Sequence, residues 1–161
     1  MKVVDKTIIN DGLKKVARDL SERIAKLGFN HTKKWYWVRL NDGYADFIHL
    51  HRHGSTYGGQ LNYSISFRVY CGNRVLNDDF SGLGLNGPNS DSPEAMQRRY
   101  HMRFNAKSGS TYERCIDDLE KFVIEMGEPW FKTHIPSQDA RDIENQQNIK
   151  QSLKLLGMKS L

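Results

Sequence analysis

The chain has 161 residues, 38% of them hydrophobic and 27% charged, the proportions of one globular domain with a single core rather than of a disordered or fibrous chain. Its 24 Lys and Arg against 19 Asp and Glu leave a net charge of +5, an excess that favours an anionic partner without requiring one. The N-terminal MKVVDKTIIND alternates charge with short apolar pairs, unlike a signal peptide, and no uncharged apolar run approaches the ~20 residues of a membrane span, so the sequence reads as soluble and cytoplasmic, with no membrane partner.

Leu13, Val16, Ala17, Leu20, Ile24 and Leu27 keep the spacing of one helical stripe and predict a first helix over 11–27. Asn10 or Asp11 is placed to cap it, and Gly28 to stop it. After a basic link (30–34), the aromatic and β-branched WYWVRL predicts a strand over 35–40, Asn41-Asp42-Gly43 a hairpin turn, and YADFIHLHR a return strand over 44–52. A glycine-bearing loop over 53–60 leads into GGQLNYSISFRVY. There Leu61, Tyr63, Ile65, Phe67 and Val69 alternate with polar residues, the period of a strand with one buried face.

Residues 72–97 are the least readable stretch, and within them GLGLNGPNSDSPEA (82–95), rich in Gly, Asn, Ser and Pro, reads as loop. The glycines there do not make a phosphate cradle, since neither a Lys-Ser/Thr ending nor a strand-to-helix context accompanies them. RRYHMRF alternates again and predicts a fourth strand over 98–104. Tyr112, Cys115, Ile116, Leu119, Phe122, Val123 and Met126 predict a second helix over 111–126, with Ser110 and Glu113 as a capping box, an acidic outer face and Gly127 at its end. Glu128-Pro129-Trp130-Phe131 follows as an aromatic plug, and Ile149, Leu153 and Leu156 give the tail a weaker helical pattern. The expected fold is α+β: an antiparallel sheet of about four strands with N-terminal and C-terminal helices packed on one face. A single domain over 1–135 is followed by a helical tail over 136–161.

In order and spacing, the helix ending in LGF, the aromatic strand, GGQLNYSISF, YHMRF and EPWFK together resemble domain-of-unknown-function family 4304. That resemblance covers roughly Asp11 to Lys132 and departs in the 82–92 loop, the histidine run and the tail beyond Thr133. It implies an α+β fold and a bacterial or phage origin, and it brings no catalytic residue set. Some similar small bacterial α+β proteins act as immunity partners of toxins.

Strand parity assigns the two faces of the sheet. With Ile65, Phe67 and Val69 turned to the helices, Tyr36, Val38, Leu40, Ile48, Leu50, Tyr100, Met102 and Phe104 are assigned to the core. The opposite face then carries Trp35, Trp37, Arg39, Phe47, His49, His51, Asn62, Ser64, Ser66, Arg68, His101 and Arg103, without one carboxylate. Two readings stay open: the tail or a second chain covers this face, or the face binds an anion, a nucleic acid or a protein.

His49-x-His51-x-His53 spaces imidazoles about 7 Å apart on one strand face, a pattern that can give zinc two ligands. No carboxylate or cysteine of ligand spacing lies near, and His31 and His101 are the only additions, so no metal and no cofactor is expected. A histidine base would also want an orienting carboxylate, and parity turns Asp46 to the other face. Cys71 and Cys115 read as reduced thiols.

Lys33, Lys34, Arg39, Arg98, Arg99, Arg103 and Lys107 with the sheet aromatics would suit a stacking platform for nucleic acid, though no RNA-binding signature accompanies them. The sequence therefore points to a non-enzymatic bacterial binding protein, of immunity type, whose partner is another protein such as a toxin domain. Nucleic-acid binding through a basic, aromatic sheet face is the alternative. The candidate binding residues are Trp35, Trp37, Arg39, His49, His51, Arg68, His101 and Arg103.

Overall fold

The computed structural model describes residues 4–32, 35–53, 63–75 and 85–136. Helix α1 spans Lys6–Ala25, five residues ahead of the expected start, because Ile9 is already a core residue. Asp5 caps it, its side chain accepting the Thr7 N–H at 2.9 Å; Asn10 and Asp11, the expected caps, sit exposed inside the helix. Gly28 ends this segment at φ +93, a conformation that strains any side chain.

Five strands follow in a meander: β1 (Asn30–His31), β2 (Tyr36–Leu40), β3 (Tyr44–His53), β4 (Ser64–Val75) and β5 (Arg103–Asn105), each antiparallel to its neighbours in sequence order. The strand missing from the expected four is β1, whose two residues are too few to show a period. The Asn41–Gly43 turn forms as expected, with Gly43 at φ 75 and the Asn41 N–H donating to the Tyr44 carbonyl. Within RRYHMRF the expected strand contracts. Arg98 ends α2 (Pro93–Arg98), Arg99 takes a left-handed conformation, and only Arg103 and Phe104 enter β5. Helix α2 has a readable start, since Ser92 accepts the Ala95 N–H and Pro93 fills the first turn, but one buried residue gives it no stripe.

Helix α3 spans Tyr112–Phe122 and continues through a π-helical turn, Val123–Gly127, into α4, Glu128–Thr133. The expected capping box does not form: Thr111, at φ 64, precedes the helix without a side-chain cap. Pro129 has no N–H to give to the α-helical ladder, and the Glu128 N–H reaches back five residues to Val123 instead.

Both helical layers lie on one face of the sheet. Val16, Leu20 and Ile24 of α1 and Cys115, Ile116, Leu119 and Phe122 of α3 form one buried cluster with Trp37, Ile48, Leu50, Ile65, Val69 and Cys71. Arg23 of α1 pairs with Glu113, Asp117 and Glu120 of α3, and Lys26 pairs with Glu120, so α1 answers part of the acidic face of α3. The expected tail helix and the start of the GGQLNY strand lie outside the described residues.

Candidate binding face

Cross-strand register decides which residues share a face. Trp37 stands opposite Ile48, which stands opposite Cys71, and Arg39 stands opposite Asp46, which stands opposite Asn73. Directly opposed residues project to the same side, so Trp35, Trp37 and Arg39 point toward the helices. That corrects the expected parity of β2: Tyr36, Val38 and Leu40 occupy the second face.

Trp37 has no solvent exposure; its indole N–H donates to Ser21 Oγ at 2.9 Å, and His31 stacks on it at 4.7 Å. Trp35 packs against Trp37 and Phe67 at the border of the same core. Arg39, expected on the open face, is instead a hub of contacts on the helix side. Its Nε and Nη2 donate to Asp46 Oδ2 at 3.0 and 2.8 Å, and Nη1 donates to Glu128 Oε1 at 2.8 Å and to the Leu27 carbonyl at 3.1 Å. The Phe29 and Phe131 rings flank the guanidinium. Burial raises the Asp46 pKa, opposed by the bonds from Asn41 and Arg39, and Asp46 Oδ1 is buried without a partner.

The second face does bring together four of the expected residues, His49, His51, Arg68 and Arg103. Tyr36, His49 and Tyr70 form one row across three strands, His51 and Arg68 the next, and His53, Ser66 and Arg103 the last. Toward the other end of the sheet this face is dry: Val38, Ala45 and Phe47 are fully buried without belonging to the helix-side core. Toward the His53 end it is wet, with His51, His53 and Arg103 exposed.

Arg68 pairs with Asp91 at 3.1 Å, both side chains well exposed. Asp91 arrives on a segment held along β4, where the Ser90 N–H donates to the Val69 carbonyl and Asn89 bridges Tyr70. His101 leaves the face altogether. Its backbone N–H donates to Asp118 Oδ2 at 2.6 Å, and Arg114, Arg103 and Asp118 are the charged groups that act on its ring. His53 shares the face, as the spacing of the histidine run predicts, and so does Tyr70; Tyr36, which parity assigned to the core, joins them, and register counted outward from the Asn41–Gly43 turn would have found it.

His49 Nδ1 donates to the Trp35 carbonyl at 2.9 Å, and the ring lies between Tyr36 at 4.2 Å and Tyr70 at 6.1 Å. Burial lowers its pKa; the Trp35 bond opposes this and His51 adds to it. In acid below the ordinary value of 6.5, the unfolded chain takes up a proton that folded His49 refuses. Stability held above that value is therefore lost as pH falls toward the folded pKa. The melting temperature should decline from neutral pH to about pH 5, and His49→Gln should flatten that decline; equal slopes for both proteins would show that His49 is not a source of it.

Among the described residues none of the second-face histidines is hydrogen-bonded to a carboxylate, and no group of three or more His, Cys, Asp or Glu is placed to hold a metal ion. Burial pushes both cysteine thiols up, that of Cys115 to about 12, so neither is a thiolate nucleophile at neutral pH. Among the described residues no helix is long and apolar enough to cross a membrane. No protein-family model, curated protein or solved structure matches the chain. The family resemblance read from the sequence thus rests on its residues alone.

Proposed function

We propose that this chain is a non-enzymatic binding protein that engages an acidic surface of another protein through the wet half of its second sheet face. One observation carries the reading: two histidines and two arginines share adjacent rows of that face, and only Arg68 has an ion-pair partner among the described residues. Strands about 5 Å apart make this patch about 10 Å wide, a size that suits a few carboxylates. A toxin domain, neutralised as immunity proteins do, is the partner class that the family resemblance suggests.

The same cations favour nucleic acid as a second reading. Against it, Tyr36, His49 and Tyr70 stack on one another and so do not offer their ring faces to bases.

The test uses immobilised wild type and the Arg68→Glu/Arg103→Glu double variant as bait in nuclease-treated lysate, with fluorescent oligothymidylate titrated separately. A protein captured by wild type and lost from the double variant, with an unchanged melting temperature, is the expected result. Oligothymidylate binding that falls about a thousandfold between low and moderate salt, with no protein captured, would establish the nucleic-acid reading instead.

A further inference from the structure

The dry half of the second face is closed by something other than the helices described above. Val38, Ala45 and Phe47 have no solvent exposure in the single chain, yet the buried residues of α1, α3 and α4 join the cluster on the opposite side of the sheet. Their neighbours on the face are Tyr36 and Leu40 of β2, His49 of β3, and Gly72 and Arg74 of β4. Side chains that stand side by side on a sheet flank one another without covering one another's tips. A closed apolar face therefore needs a further layer, and within one chain that layer comes from the chain itself.

The place where the described residues end points to its source. The Asn73 side-chain amide donates to the His134 carbonyl, which sets residues 134–136 at the Arg39 end of the sheet, beside the row of Ala45 and Arg74. Residues 137–161 begin there. Their apolar stripe of Ile149, Leu153 and Leu156 is about 11 Å long at helical rise, and the Ala45 and Phe47 rows are about 7 Å apart. The stretch 137–148 ahead of the stripe reaches about 18 Å as a helix and further when extended, enough to round the sheet. Other segments outside the described residues are worse placed. Residues 54–62 leave β3 at the far, His53 end. Residues 76–84 return to the outer edge of β4, where Gly87 and Pro88 bond to Cys71, and Val38 lies two strands inward, about 10 Å away. We propose that residues 137–161 dock on the dry half as a helix, with Ile149, Leu153 and Leu156 seated on Val38, Ala45 and Phe47. The acidic start of the segment, Asp139, Asp142 and Glu144, then passes Arg74. Helices thus cover both faces of the sheet, and the docked segment confines a partner to the wet half.

The test places a nitroxide on the full chain through Gln151→Cys, a position opposite the stripe on a helix; Cys71 and Cys115 are buried and escape the tag. Paramagnetic broadening of the Val38, Phe47 and Gly72 amide signals is expected, with Leu20 and Leu119 beyond the sheet spared. Adding Leu153→Asp should abolish the broadening and lower the melting temperature by about 10 °C, the effect of losing one buried leucine. Gln151→Asp alone should leave the melting temperature unchanged. No broadening on the second face, or broadening that survives Leu153→Asp, would overturn the inference. Broadening of an untagged, labelled chain by a tagged, unlabelled one would make the occupant a second copy and overturn it as well. None of these results bears on the wet half, which the Arg68 and Arg103 variants test separately.

Discussion

Replacing Trp37 with alanine should destabilise the fold by about 3–5 kcal/mol, enough to unfold a domain of ordinary stability near its physiological temperature. Trp37 is wholly inaccessible, lies opposite Ile48 in the middle of the helix-side cluster, and fixes Ser21 of α1 through its indole N–H. Truncation removes the largest fully buried side chain among the described residues and leaves the Ser21 hydroxyl with one partner fewer. Trp37→Phe should cost distinctly less, because it keeps most of the volume. Urea unfolding of both variants measures the difference. A native-like melting curve for Trp37→Ala, with binding lost, would instead put the indole on a recognition surface.

Arg39→Ala should cost about 3 kcal/mol, at the low end of what removing one member of a buried charge pair does, because the guanidinium keeps 19% exposure. The loss does not come from one ion pair alone. Asp46, with 3% of its side chain exposed, keeps only Asn41 as a partner, and Glu128 loses its Arg39 donor. The Phe29 and Phe131 rings lose the plane between them. Asp46→Asn in the Arg39→Ala background should recover part of the loss by removing the stranded charge. A double variant as unstable as the sum of the singles would show that the charge of Asp46 is not the source.

The sheet was legible wherever alternation separated apolar from polar residues. In β4, Ile65, Phe67 and Val69 are buried as their spacing predicts, and Ser64, Ser66 and Arg68 turn outward. His49, His51, Arg68 and Arg103 therefore fell on one face as expected. Strand β2 defeated the same method because YWVRL is apolar on both sides: Trp37 and Val38 are each fully buried, one beneath the helices and one on the second face. Only pairing distinguishes them, and the Asn41–Gly43 turn fixes it by setting Leu40 opposite Ala45. Once Ile48 is assigned inward, its partner Trp37 must follow, a constraint that single-strand parity leaves out. Arg39 was misplaced with it, since an arginine reads as surface until two carboxylates and two rings are known to surround it. Helix α2 and strand β1 were too short for any period to emerge.

The π-helical turn sets the angular phase of the second half of the rod formed by α3 and α4. In an unbroken α-helix the stripe of Ile116, Leu119, Val123 and Met126 would continue at Trp130 and Thr133. One extra residue per helix corresponds to about 100° of rotation, and the buried line moves instead to Gly127 and Phe131. That offset aims Glu128 at Arg39 and Phe131 at Phe29. The rod thus carries two phases, one matched to the middle of the sheet and one to its Arg39 end. Gly127 sits where they meet, and a Cβ there would come within 3.3 Å of Cys71 Sγ. Removing a residue from this turn would restore an even backbone ladder while swinging Glu128 and Phe131 together away from the strands they lock.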